Sequence, residues 1–202
     1  MKRSDFIRST FAVSGGLILA PNLLAKQSLV KKKPIKLTVL HTNDTHSNID
    51  AFPKNHAKFP GLGGVEQRFQ LIQEVRNEEE HVLLIDAGDI FQGTPYFNKY
   101  KGVLEMKLMT QLGYEAATMG NHDFDIGLDG FLRAKEFANF PFVCSNYDFS
   151  DTPLKNETKD TIILQKGKIK VGIFGVGVQL KGLVPDNKFE QTVYHDPIQI
   201  AN

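Results

Sequence analysis

The sequence predicts an α/β fold. Strand-like and helix-like segments alternate from about residue 35 to 145, and one strand is apolar along its middle, as in a sheet covered on both faces. Short polar clusters also close three of the strands, at the edge where ligand sites gather in open α/β sheets.

The elements follow in chain order. Residues 35–40, Ile-Lys-Leu-Thr-Val-Leu, alternate and are rich in β-branched side chains, so they read as a strand. Residues 50–63 hold Pro53, Pro60, Gly61 and Gly63 without periodicity and read as a loop. Val65, Phe69, Ile72 and Val75 recur at helical spacing, with polar residues between them, and predict an amphipathic helix ending near Glu80. The run Val82-Leu83-Leu84-Ile85 marks a buried strand over 81–87. Leu104, Leu108, Met109 and Leu112 mark a helix stopped by Gly113. A short strand over 115–119, a helix over 127–139 and a strand over 142–145 come next. Residues 161–165 and 169–174, parted by Lys166-Gly167-Lys168, read as a hairpin. The string Gly172-Ile173-Phe174-Gly175-Val176-Gly177 lacks the spacing of a dinucleotide loop.

Composition narrows the function. The 202 residues suffice for one sizeable core, and a formal net charge of +1 gives no reason to expect a nucleic-acid binder, whose phosphate contacts need a clustered basic surface. The dense basic run Lys31-Lys32-Lys33 reads as solvated linker. The one cysteine, Cys144, cannot form an intrachain disulfide and lies in an apolar stretch, so a buried structural thiol is expected. Residues 1–25 read as a signal peptide: Lys2, Arg3 and Arg8 precede an apolar run over 11–24 broken by Gly15-Gly16 and Pro21. That run is too short for a stable membrane span. Arg3-Ser4-Asp5-Phe6 resembles a twin-arginine signal with its second arginine replaced by serine. Residues 26–34 form a polar linker into the fold.

The polar clusters carry the chemistry. They are Asp44-Thr45-His46, Asp89, and Asn121-His122-Asp123-Phe124-Asp125. An isolated Asp or Asn after a strand is ordinarily a turn former; three such clusters at one sheet edge point to a shared site. Two residues apart, Asp44 and His46 would face the same way in extended backbone. Asp89 could bridge two cations, and Asn121 offers an amide oxygen. Carboxylate, imidazole and amide donors suit Zn, Mn, Fe or similar ions. His41 is expected to sit packed or hydrogen-bonded behind the site, and His56 and His81 at the surface. His195, in a loop before a helix, is disfavoured as a ligand.

Asp44-x-His46, Gly88-Asp89 and Gly120-Asn121-His122-Asp123 resemble the first blocks of the calcineurin-like metallophosphoesterases. The fuller strings 41–46, Asp86-Ala87-Gly88-Asp89 with Gly93-Thr94, and 120–127 resemble the bacterial periplasmic 5'-nucleotidase and UDP-sugar hydrolase branch. The resemblance covers residues 35–202. It implies an incomplete four-layer α/β/β/α sandwich and an exported, periplasmic protein. It also implies two divalent metal ions (Zn, Mn, Fe or Co), with Asp44 and His46 on the first, Asp89 bridging and Asn121 on the second. His122 would be the catalytic histidine, oriented by Asp125, while Asp123 receives no direct role.

The implied activity is hydrolysis of 5'-nucleotides to nucleoside and phosphate. Two cations polarise the phosphoryl group and make hydroxide available at neutral pH. Alternatives are a general phosphodiesterase or sugar-diphosphate hydrolase of the same fold, or a non-catalytic metal- or phosphate-binding remnant. The family's later histidine ligands, the last in a Gly-His-x-His string, and its nucleoside-clamping C-terminal domain have no counterpart in these residues. The chain is therefore expected to be the N-terminal part of the catalytic domain.

Overall fold

The computed structural model describes residues 34–202. The expected signal peptide, and the linker apart from Pro34, lie outside the described residues.

A three-stranded parallel sheet organises the first half. Strand β1 (Thr38–Thr42) pairs with β2 (Val82–Asp86), which pairs with β3 (Ala116–Ala117), in the order β1-β2-β3. The register sets Thr38 against Val82 and Thr42 against Asp86. β1 starts three residues later than its alternation suggests, because its ladder begins where the Thr38 N–H meets the His81 carbonyl at 2.9 Å. β2 is central, and Leu83 and Leu84, on opposite faces of the strand, are both buried, which explains its unbroken apolar run. β1 alternates instead: Leu40 packs against the core, while Val39 and His41 are exposed. The expectation that His41 packs behind the site is thus corrected, since strand alternation points it to solvent.

Helix α1 (Gly64–Glu78) ends at Glu79, where the backbone turns extended. Ile72 is its one fully buried residue, and Phe69, expected on the apolar face, is exposed. Helix α2 (Pro95–Tyr100) was not legible as a periodic segment; its signal is proline at the first turn. Helix α3 (Val103–Leu112) stops at Gly113, whose φ of 76° is left-handed. Arg76 of α1 caps it, donating to the carbonyls of Leu112 and Gly113 at 2.7 and 2.9 Å. Helix α4 (Gly127–Lys135) is shorter than its pattern suggested.

The strand expected over 142–145 is reduced to isolated bridges, Ala117 with Phe142 and Val143 with Lys159. Its amides change partner at each step: Val143 donates to Ala117, Cys144 to Lys159 and Ser145 to Gly175. No neighbour runs alongside long enough to make a ladder. Strand β4 (Tyr147–Asp148) pairs antiparallel with β7 (Val193–Tyr194), and the expected hairpin forms from β5 (Thr161–Lys166) and β6 (Ile169–Phe174). Helix α5 (Asp186–Phe189) and helix α6 (Pro197–Ala201), N-capped by Asp196, complete the described residues.

The core joins the helices to the strand ends. Phe91, Phe124, Phe131 and Phe142 are fully buried, with ring centroids 5.9 Å apart for Phe91 and Phe131 and 4.9 Å for Phe131 and Phe142. Cys144 is buried as expected, and burial pushes its thiol up to about 12. Among the described residues no helix is long and apolar enough to cross a membrane.

Candidate metal centre

The segment after β1 does not stay extended. Asp44, His46 and Ser47 have φ of 51°, 44° and 54°, so the expectation of an extended Asp-x-His pair is corrected. The backbone curls because its amides dock on the segment after β2: Asp44 donates to Gly88 at 2.9 Å, His46 to Asp89 at 3.1 Å and Ser47 to Ile90 at 2.9 Å. Left-handed backbone costs a non-glycine residue roughly 1–2 kcal/mol, and such residues concentrate at functional sites.

The same curl brings side chains together. His46 Nε2 lies 3.7 Å from Asp44 Oδ1 and 3.9 Å from Asp89 Oδ2, and one ligand atom from each residue falls within 4.8 Å of the others. Oxygen and nitrogen donors bind such ions at about 2.0–2.2 Å, so donors spaced like these can share one cation. His46 Nδ1 is 3.2 Å from the Phe91 carbonyl oxygen. A proton on Nδ1 satisfies that carbonyl and leaves the Nε2 lone pair for a metal.

Asp89 is tied to the third cluster. Its Oδ1 accepts the His122 amide at 2.9 Å, while Oδ2 faces His46. Asn121, half-buried, heads the 3₁₀ turn Asn121–Phe124 that carries His122. Close approach requires glycine twice: a Cβ on Gly120 would overlap Asp89 Oδ1, and Gly88, at φ 94°, would meet the backbone of Gly120. His122 Nδ1 sits 2.9 Å from Asp125 Oδ2, and the His46 and His122 ring centroids are 5.2 Å apart. Hydrogen bonding to Asp125 raises the His122 pKa above its usual 6.5, against a partial opposing effect of burial.

Two further carboxyl groups brace the site. Asp86 accepts the Thr42 hydroxyl at 2.5 Å and the Gly88 amide at 2.8 Å, and burial pushes it up to about 6. Asp123 is wholly buried and accepts the amides of Asp89, Ile90, Phe91 and Gly120 at 2.8–3.1 Å. Burial raises it to about 7 in spite of those bonds. Sequence reasoning passed Asp123 over; its signal was a carboxylate between His122 and the core residue Phe124.

The remaining histidines lie elsewhere. His56 lies at the surface as expected, its ring against the exposed Phe52 and Phe59, whereas the surface assignment of His81 is corrected: its side chain is 16% exposed, covered by the turn at Gly167. His195 is exposed and lines a cavity of about 480 Å³ with Tyr147 and Asp148, outside the Asp44–His46–Asp89 cluster.

Carboxylates and histidines gathered at the carboxyl edge of a parallel sheet define an α/β protein with a metal-type site. The model of the calcineurin-like phosphoesterases matches residues 37–198. The chain belongs to that family. It is 40% identical over 147 residues to a snake venom 5'-nucleotidase of Gloydius brevicauda, covering 69% of this chain and 25% of that protein. The structure of a 5'-nucleotidase precursor from Thermus thermophilus superposes with a TM-score of 0.72 at 33% identity, over 82% of this chain and 33% of that one. That of Haemophilus influenzae NAD nucleotidase gives 0.70 at 25%, over 82% and 30%. The chain thus spans about a quarter of the length of curated relatives it matches.

Proposed function

We propose that this chain forms part of a metal-dependent phosphoesterase that hydrolyses 5'-nucleotides to nucleoside and phosphate. The meeting of Asp44, His46 and Asp89 donor atoms carries the metal reading, and the 5'-nucleotidase relatives support the substrate. Asp44 and His46 would hold one divalent ion, Asp89 would be shared with a second, and Asn121 would offer that second ion its amide oxygen. Zn, Mn, Fe and Co all suit these donors. When bound, such ions polarise a phosphoryl group and lower the pKa of nearby water. Asp125 accepts the Nδ1 proton of His122 and favours the imidazolium, in which Nε2 also carries a proton and can donate to a phosphate oxygen where charge builds. Further ligand blocks and a nucleoside-binding domain fit the greater length of the relatives.

Titration calorimetry with Mn²⁺, Zn²⁺ and Co²⁺, followed by assays on AMP, UDP-glucose and bis(p-nitrophenyl) phosphate, tests the reading. Wild-type chain should bind metal, Asp89→Asn should lose at least tenfold in affinity, and His122→Ala should keep metal while losing most turnover. Equal metal binding by Asp89→Asn sinks the cluster assignment. Metal binding without turnover on any of the three esters points to the non-catalytic remnant.

A further inference from the structure

Beneath the metal cluster lies a buried polar network that the proposed chemistry does not use. Ser47 is 1% exposed and directly follows His46. Its hydroxyl donates to Oε1 of Glu105, a residue of α3 that is 3% exposed. The second oxygen of Glu105 has no hydrogen-bond partner among the described residues. The Thr94 hydroxyl donates to the Ser47 carbonyl at 2.8 Å and lies 2.9 Å from the Ser47 hydroxyl oxygen.

A carboxyl group on the buried face of a helix is costly. Met106, Met109 and Leu112 of the same helix are buried and apolar, and burial in the core would favour a fourth apolar residue, although a carboxylate in the first turn of a helix complements its dipole. The opposing requirement lies in the loop. Asp44, His46 and Ser47, three of four consecutive residues, hold left-handed backbone, which persists only where surrounding contacts over-determine it. Backbone bonds to Gly88, Asp89 and Ile90 fix the amides of this segment, and Asn48 ties the Thr45 and His46 carbonyls locally. Ser47's hydroxyl and carbonyl are held by Glu105 and Thr94. A connected buried network of this kind rigidifies what it touches.

We propose that Glu105 is a positioning residue: through Ser47 it locks the left-handed segment 44–47, so that Asp44 and His46 present their ligand atoms together. The consequence for metal rests on the function proposed above; the locking of the loop does not.

The test uses Glu105→Leu, which keeps side-chain bulk, Ser47→Ala, the double variant, and Glu105→Gln, which retains an acceptor oxygen. In metal-free chain, amide hydrogen exchange at His46 and Ser47 should quicken at least tenfold in each of the first two, with β2 amides unchanged. The double variant should add little to either single change, the mark of residues acting as one unit. In Mn²⁺ titrations the same variants should lose roughly 10–100-fold in affinity, the usual cost of a lost orienting contact. Glu105→Gln should stay within about threefold of wild type if the acceptor oxygen is what matters. Unchanged exchange at His46 and Ser47, or full additivity in the double variant, overturns the proposal. If Glu105→Leu does not fold, exchange in Ser47→Ala decides it by the same criterion. If wild type takes up no metal while exchange responds as described, the locking role stands and the metal assignment falls.

Discussion

Asp123 and Asp125, two residues apart, do different work. Asp125 is half-exposed and acts on one atom, His122 Nδ1. Its hydrogen bond is the largest cause of the raised His122 pKa, so Asp125→Asn should bring that pKa down toward 6.5 in metal-free protein. Imidazole chemical shifts against pH measure this; an unmoved titration would remove Asp125 from its orienting role. Asp123 instead accepts four backbone amides. In Asp123→Asn the amide nitrogen replaces one oxygen and orphans donors, at about 1–3 kcal/mol each. The pH dependence has a definite sign. Native Asp123 holds its proton up to about 7, whereas the unfolded carboxyl releases it near 3.8. Between those values the native state binds more protons, so its stability falls as pH rises. The asparagine variant lacks that slope. Its deficit relative to wild type should therefore be largest near pH 4 and shrink toward pH 7, by urea denaturation in chelator. A deficit that stays constant or widens contradicts the buried-proton account.

Three strand ends, rather than any single strand, build the site. β1 delivers Asp44 and His46, β2 delivers Asp89, and β3 leads into the turn bearing Asn121 and His122. Parallel pairing sets these ends side by side, as in other open α/β sheets. The contact between the second and third segments is tight enough that only a glycine fits at 120. Gly120→Ala should cost about 1–3 kcal/mol through overpacking and weaken metal binding at least tenfold by pushing Asp89 aside. Calorimetry on the folded variant checks the second effect, and wild-type metal affinity there would mean the loops can yield. β2 and α3 were legible because a continuous apolar run and a glycine stop are local signals. The 142–145 segment was not, since its amides are shared among Ala117, Lys159 and Gly175, residues distant in sequence.

At the scale of the whole molecule, the single cysteine bears on where the chain can work. Cys144 is buried and its thiol is pushed up to about 12, so it offers almost no thiolate for oxidation. An unpaired thiol of this kind is compatible with the oxidising compartment to which an export signal over residues 1–25 would send the chain. Expression in a bacterial host with cell fractionation should yield periplasmic protein whose N-terminus lies near Lys26. Cytoplasmic protein retaining Met1 would argue that the first residues are not a signal.

From the residues by themselves came the α/β class, the three strand-end clusters, the resemblance to metallophosphoesterases and the identities of Asp44, His46, Asp89, Asn121, His122 and Asp125 as the residues to watch. Periodicity and short motifs carry that information because they are local. The left-handed curl at 44–47, the Phe91 carbonyl that sets His46, and the buried Asp86, Asp123 and Glu105 were decided only in three dimensions. Each depends on backbone groups brought in from another strand or helix, and no spacing within one segment records which amide a buried carboxyl will meet.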